Sequence, residues 1–139
     1  MTTLKKIVFY TLLLVVLSWL TEFIIFTGIR KNQYGLYNKL NRIFCQTNEY
    51  NLLILGSSRA ECHFDPKIID SITGYNSFNI GFAGSNNSFT YSMYKTYLSQ
   101  SKPPEVAVMN IDYHFAYESS DTIYEFPKYF PYLGNDFLY

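Results

Sequence analysis

The feature that most constrains this chain is an apolar run near its N-terminus. From Ile7 to Ile29 the sequence reads IVFYTLLLVVLSWLTEFIIFTGI. About 20 such residues in a helix cross the hydrocarbon core of a bilayer. A cleavable signal peptide would have a shorter apolar core and a small-residue cleavage site. We therefore expect an uncleaved membrane-spanning helix over residues 7–29, preceded by a tail over residues 1–6. The alternative is a core helix, which the rest of the chain would have to cover on all sides.

The orientation of this span is left open by the charges around it. Basic residues lie on both sides, with more of them after the span: Lys5 and Lys6 before it, and Arg30, Lys31, Lys39 and Arg42 after it. The positive-inside rule alone would place the following domain in the cytoplasm. A very short tail ahead of a first span favours export instead.

Composition excludes several functional classes. The 139 residues suffice for one domain. The formal net charge is zero, which argues against nucleic acid as a partner. Cys45 and Cys62 have no metal-ligand spacing, and two free thiols are favoured over a disulfide. We expect no metal and no cofactor.

A buried strand followed by serines organises the soluble part. Four apolar residues, Leu52 to Leu55, run into Gly56, Ser57 and Ser58. A short apolar run bounded by turn residues is typical of a strand covered on both faces in a parallel sheet. The serines then lie at its carboxyl end and open a helix, where ligands and reactive groups gather in open α/β sheets.

Strand and helix patterns alternate along the soluble part. Residues 30–49 form a connecting segment with an amphipathic helix, whose apolar face would pack on the domain or lie on the membrane surface. Asp65 and Pro66 begin a helix that Gly74 ends. A second strand covers residues 75–80, a third helix is capped by Ser85 or Asn86, and a third strand covers residues 106–111. This order predicts parallel βαβ units.

Three blocks of residues resemble the SGNH/GDSL hydrolase-like proteins. They are Gly56-Ser57-Ser58 after the first strand, Asn79-x-Gly81-x-x-Gly84-Ser85 after the second, and an acidic residue, Asp112, after the third. An anchor followed by GSSRA and a His-Phe-Asp-Pro turn is similar to a bacterial envelope subgroup. The Gly-x-Ser-x-Ala spacing is also similar to the α/β-hydrolase elbow, but that elbow normally follows several earlier strands.

The resemblance implies a fold, a chemistry and a location. The fold would be a membrane helix followed by a partial flavodoxin-like, three-stranded parallel sheet with flanking helices, over residues 50–139. Ser58 would be the nucleophile, and the N–H groups of Ser58 and Gly84 would bind the oxyanion. Arg59, Asn79, Gly81 and Asp112 are the expected binding residues. The activity would be ester hydrolysis or acyl transfer on an envelope glycan, in a single-pass membrane protein with an extracytoplasmic domain.

The chain departs from that pattern at two places. Asn110 lies one residue out of register with the family's oxyanion-binding asparagine. No C-terminal Asp-x-x-His appears, and His63 is only a weak candidate for the general base, as is His114. We therefore expect the first half of a domain, whose third strand is covered by the tail, by a second copy or by a partner chain. The alternatives are a non-catalytic protein that binds a glycan or a partner, and an inactive fragment. The acidic, aromatic tail over residues 118–139 would wrap the sheet or open a further helix.

Overall fold

The computed structural model describes residues 3–116, apart from the side chains of His114 and Ala116, and residues 126–132. Five α-helices and three strands lie within these ranges: α1 Thr3–Arg30, α2 Gly35–Phe44, β1 Leu52–Leu55, α3 Ser58–His63, α4 Pro66–Thr73, β2 Ser77–Asn79, α5 Asn87–Gln100 and β3 Val106–Met109. Two 3-10 helices follow, at Tyr113–Ala116 and Phe126–Tyr132.

The three strands form one parallel sheet in the order β2-β1-β3. Leu53 of β1 pairs with Phe78 on one side and with Ala107 on the other. All four residues of β1 are buried, as expected for the central strand. The predicted α/β architecture with a parallel sheet and flanking helices is confirmed.

Each face of the sheet has its own apolar cluster. Leu53, Leu55, Phe78 and Ile80 join side chains of α2 and α5: Leu40, Ile43, Phe44, Phe89, Met93 and Tyr97. Leu52 and Ile54 point the other way and pack with Ala60, Phe64 and Ile69. The amphipathic helix α2 thus packs on the domain, which settles the alternative left open by its sequence.

The local helix signals act as predicted. Asp65 accepts a hydrogen bond from the N–H of Lys67 at 2.9 Å, and Pro66 occupies the first turn of α4. Gly74 ends α4 in the left-handed region, at φ +74°. Asn86, one of the two predicted caps, accepts from the N–H of Phe89 at 2.8 Å. These signals confirm the boundaries of α4 and α5.

Helix α1 is long and apolar enough to span a membrane. It has 28 residues, and none of its side chains is buried against the domain. At 1.5 Å per residue, a helix of this length reaches about 40 Å, more than the bilayer's hydrocarbon core.

A polar joint connects α1 to the domain. The side-chain amide of Asn41 in α2 donates to the carbonyls of Ile29 and Asn32, at 3.1 and 2.9 Å. Its oxygen accepts from the hydroxyl of Tyr132 at 2.6 Å. Arg30, at the end of α1, donates to the carbonyl of Pro131 at 2.8 Å. Asn41 is 1% exposed, so these bonds replace its contacts with water.

The outer strand β3 is largely uncovered. Val108, Met109 and Ile111 are 38%, 43% and 77% exposed. The described part of the tail packs elsewhere, since Tyr129 contacts the ring of Phe89 and Tyr132 stacks on Phe44. Residues 126–132 thus pack their tyrosines against α2, α5 and the loop after β2. The rest of the tail, residues 118–125 and 133–139, lies outside the description.

Burial of Tyr129 makes stability fall at alkaline pH. Loss of hydration, with a smaller effect of the nearby Glu61 charge, raises its pKa from 10.0 to about 12. The folded state therefore holds a proton that the unfolded chain loses above pH 10, so this stabilisation is present below pH 10 and is lost as the pH rises toward 12. At pH 11 we expect the free energy of unfolding of the wild-type chain to have fallen by about 1 kcal/mol more than that of Tyr129→Phe, relative to pH 8. Urea unfolding at the two pH values measures this difference, and equal losses would contradict it.

Candidate functional site

The loop after β1 turns at a position with no room for a side chain. Gly56 has φ +140°, and a Cβ built on it would lie 2.8 Å from the carbonyl oxygen of Asn110 and 3.0 Å from the Cβ of Ala60. Both the backbone conformation and the close approach require glycine here. The turn brings Ser57 to the cap of α3 and makes Ser58 its first residue.

The loop after β2 is hydrogen-bonded to the same turn. The carbonyl of Gly56 accepts from the N–H of Phe82 and from the hydroxyl of Ser85, both at 3.1 Å. Gly84 lies between them at φ +70°. The two glycine blocks, 28 residues apart at Gly56 and Gly84, therefore meet at the carboxyl end of the sheet.

Ser58 is exposed at this edge. Its N–H is one of the free groups at the start of α3. Within the described residues, neither this N–H nor that of Gly84 donates to another group of the protein. An exposed hydroxyl with a free backbone donor at the same residue, and a second free donor in the loop that is hydrogen-bonded to this turn, are components of an oxyanion site.

Asp112 is a buried carboxylate shared by the first and third strand ends. It is 1% exposed, and the hydroxyl of Ser57 donates to its Oδ2. Its Oδ1 lies 3.1 Å from the Nε of Arg59, an ion pair whose geometry falls short of a hydrogen bond. Arg59 itself is more than half exposed. Asp112 and Arg59, both predicted as binding residues, thus bind each other, and Ser57 joins them.

Sequence reasoning did not find the role of Ser57. In the sequence it is one of two adjacent serines, and the resemblance treats it as a replacement for a non-nucleophilic aspartate. One signal could have revealed this pairing. Asp112 follows the third strand and Ser57 follows the first, and the carboxyl ends of parallel strands lie at the same edge of a sheet. Nearby, the side-chain nitrogen of Asn110 is buried and has no hydrogen-bond partner among the described residues.

Asn79 and Gly81 hold the second loop against α3. The amide of Asn79 donates to the carbonyls of Ala60 and Phe64, at 2.7 and 2.9 Å, and its oxygen accepts from the N–H of Gly81 at 2.9 Å. A Cβ on Gly81 would lie 2.8 Å from the Cβ of Ala60. Both residues therefore shape the loop, and the side-chain bonds of Asn79 are made within the protein.

A second ion pair, partly buried and not revealed by the sequence, supports this loop from α2. The ammonium of Lys39 lies 3.2 Å from Glu61 and also donates to the carbonyl of Gly81. Glu61 in turn accepts from the N–H of Ala83 at 2.8 Å. Burial lowers the pKa of Lys39, and the attraction of Glu61 opposes that shift.

The described residues bring no histidine to Ser58. The Nδ1 of His63 lies 3.0 Å from the carbonyl of Arg59, in its own helix, and the ring is exposed. The side chain of His114 lies outside the description. Cys45 and Cys62 are exposed free thiols, as favoured from the sequence. No group of metal ligands occurs among the residues that the structure describes.

Comparisons with known proteins found no matching family model, no matching curated protein and no matching solved structure. The chemistry of the site therefore has to be inferred from its own geometry and residues.

Substituting Gly56 should be more damaging than substituting Gly74. We expect Gly56→Ala to lower the free energy of unfolding by more than about 2 kcal/mol, because it adds a clash to a strained φ. Gly74 also has a positive φ but open space around it, so Gly74→Ala should cost about 1 kcal/mol. Urea midpoints of the two variants test the order, and equal losses would argue against the close approach at Gly56.

Removing the carboxylate of Asp112 should leave the buried hydroxyl of Ser57 without its acceptor and destabilise the fold. We expect Asp112→Ala to lower the free energy of unfolding by about 1–3 kcal/mol, because Ser57 loses its acceptor. Asp112→Asn keeps an acceptor and loses only the ion pair with the half-exposed Arg59, which contributes little. Denaturant unfolding should therefore place Asp112→Asn between wild type and Asp112→Ala. An equal loss in both variants would contradict this account.

Proposed function

We propose that this chain carries the nucleophile and the oxyanion donors of an SGNH/GDSL-type serine hydrolase or acyltransferase. The observation that carries the proposal is the placement of Ser58, which is exposed at the first residue of a helix that directly follows the buried central strand. The loop that contains Gly84 is hydrogen-bonded to Gly56, the residue at the turn between the strand and this helix. The strand order β2-β1-β3 is also the first part of a flavodoxin-like order.

The chemistry would be acyl transfer through Ser58. Its hydroxyl oxygen would attack the carbonyl carbon of an ester, and the N–H groups of Ser58 and Gly84 would donate to the oxygen that becomes negative. Collapse of this intermediate would break the ester C–O bond and release the alcohol, which takes up the proton removed from Ser58. Water or a sugar hydroxyl would then attack the acyl-serine, take the acyl group and return a proton to the serine oxygen. Arg59 is held by Asp112, and its exposed part is available to a substrate at the same edge.

The proton acceptor is the part of the machinery that the described residues do not supply. A serine without a general base is a weak nucleophile. The ring of His63 contacts the carbonyl of Arg59 in its own helix. We therefore infer that the general base is a group whose contacts the structure does not describe. His114 is one such group.

The proposed setting is the cell envelope, with α1 as a membrane anchor. The length of α1, its apolar sequence and its lack of buried residues support the anchor. An envelope glycan as acyl acceptor or substrate is implied by the resemblance of the anchor, GSSRA and the His-Phe-Asp-Pro turn to the bacterial envelope subgroup. The same resemblance, together with the very short tail ahead of the span, supports the extracytoplasmic side.

A non-catalytic binding protein is the second candidate. It is favoured by the pairing of Ser57, Asp112 and Arg59, which uses the buried acid of the site within the protein. In that case the exposed edge around Ser58 would bind a glycan or a partner without acyl transfer.

A fluorophosphonate probe separates the two functions. We expect the full chain in detergent to be labelled at Ser58, and Ser58→Ala to reduce labelling to background, because the probe reports activated serine hydroxyls. Ser88→Ala is the matched control, since Ser88 is an exposed serine in the first turn of α5 but is separated from strand β2 by a loop over residues 80–86. Labelling that persists in Ser58→Ala would contradict the assignment. A folded wild-type chain that is not labelled would favour the binding function.

A further inference from the structure

A cavity of about 460 Å³ opens between α2 and the turn from α3 to α4, beside the outer strand β2. Its volume lies in the range of small-molecule sites. The residues that line it include Asn38, Lys39, Arg42, Glu61, Asp65 and Phe78. We call this cavity the α2 groove. Ser58, Gly84 and Asp112 are not among its lining residues, so it is separate from the candidate acyl-transfer site.

The four charged side chains that line the α2 groove differ in their partners. Lys39 and Glu61 neutralise each other at 3.2 Å. Asp65 caps α4 and accepts from the N–H of Lys67. In the part of the chain that the structure describes, Arg42 has no acidic partner.

Neutral contacts hold Arg42 in place. Its Nη1 donates to the hydroxyl of Tyr50 at 2.6 Å, and its Nε lies 3.4 Å from the side-chain oxygen of Asn38, one helical turn earlier. The guanidinium lies 5.8 Å from the ring centre of Phe78. Its Nη2 and the amide nitrogen of Asn38 have no hydrogen-bond partner among the described residues.

We propose that the α2 groove binds a phosphate group, with Arg42 and Asn38 as the donors that anchor it. A partly buried cation without a counter-charge is unfavourable, and a bound anion removes that cost. The planar guanidinium suits the oxygens of a phosphate, and because Tyr50 and Asn38 fix it beforehand, little side-chain freedom is lost on binding.

Two sources of phosphate are compatible with this position. One is a soluble phosphate compound. The other is a phospholipid headgroup, because only residues 31–34 separate α2 from α1, and Asn41 ties the two helices together. The same donors would serve in both cases, so the experiment has an arm for each source.

Thermal unfolding of the full chain tests the site. In neutral detergent, inorganic phosphate replaces chloride at constant ionic strength, and a ligand that binds only the folded state raises the unfolding temperature. In parallel, the chain is placed in nanodiscs of the phosphate-free lipid digalactosyldiacylglycerol with or without phosphatidylglycerol. A rise with inorganic phosphate indicates a soluble ligand, and a rise only with phosphatidylglycerol indicates a lipid headgroup.

Three variants make the result specific. Arg42→Met and Asn38→Ala each remove one donor, and we expect each to weaken phosphate binding about tenfold or more. Lys67→Met is the matched control, since it removes an exposed positive charge next to Pro66 at the rim of the groove and should bind like wild type. If Arg42→Met fails to fold, the loss of phosphate binding in Asn38→Ala is the test of the site.

The proposal is overturned by either of two results. One is that neither inorganic phosphate nor phosphatidylglycerol stabilises the wild-type chain. The other is that Lys67→Met loses as much stabilisation as Asn38→Ala, because the effect would then reflect overall charge instead of a site.

Discussion

The carboxyl edge of this sheet depends on one close backbone approach, at Gly56. A side chain there would overlap the carbonyl of Asn110, at the end of the third strand. The carbonyl of Gly56 is also the acceptor that fixes the second loop, through Phe82 and Ser85. The ends of all three strands therefore contact a single residue. The positions of Ser58, Gly84 and Asp112 follow from that contact, although they lie far apart in the sequence.

Charged side chains around this edge are arranged in pairs. Asp112 faces Ser57 and Arg59, and Lys39 faces Glu61. Such pairs add little net stability, because the more buried ion of each pair loses hydration and the more exposed one is screened by water. Their contribution is geometric. Each pair joins a loop to an element from a different part of the chain, so the loops have one preferred arrangement.

Local sequence signals predicted the helices and strands, whereas contacts between residues far apart in the sequence were not predicted. The cap at Asp65, the stop at Gly74 and the apolar run of β1 each depend on a few neighbouring residues, so their outcome could be read from the sequence. The pairing of Ser57 with Asp112 spans 55 residues, and many other acceptors were available in the sequence. The role of Asn41 escaped prediction for the same reason, because its partners lie in α1, in the next turn and in the tail.

The joint at Asn41 and Arg30 has a mechanical consequence. One amide bonds the end of α1, the following turn and the tail, and these bonds restrict rotation of the domain about the end of α1. In a membrane-anchored protein, such a joint sets the tilt and the height of the sheet above the lipid surface. The edge of the sheet that carries Ser58 would then stay at a constant distance from the bilayer surface. For the acyl transfer proposed above, this distance, as much as the chemistry of the site, would decide which acceptors Ser58 reaches.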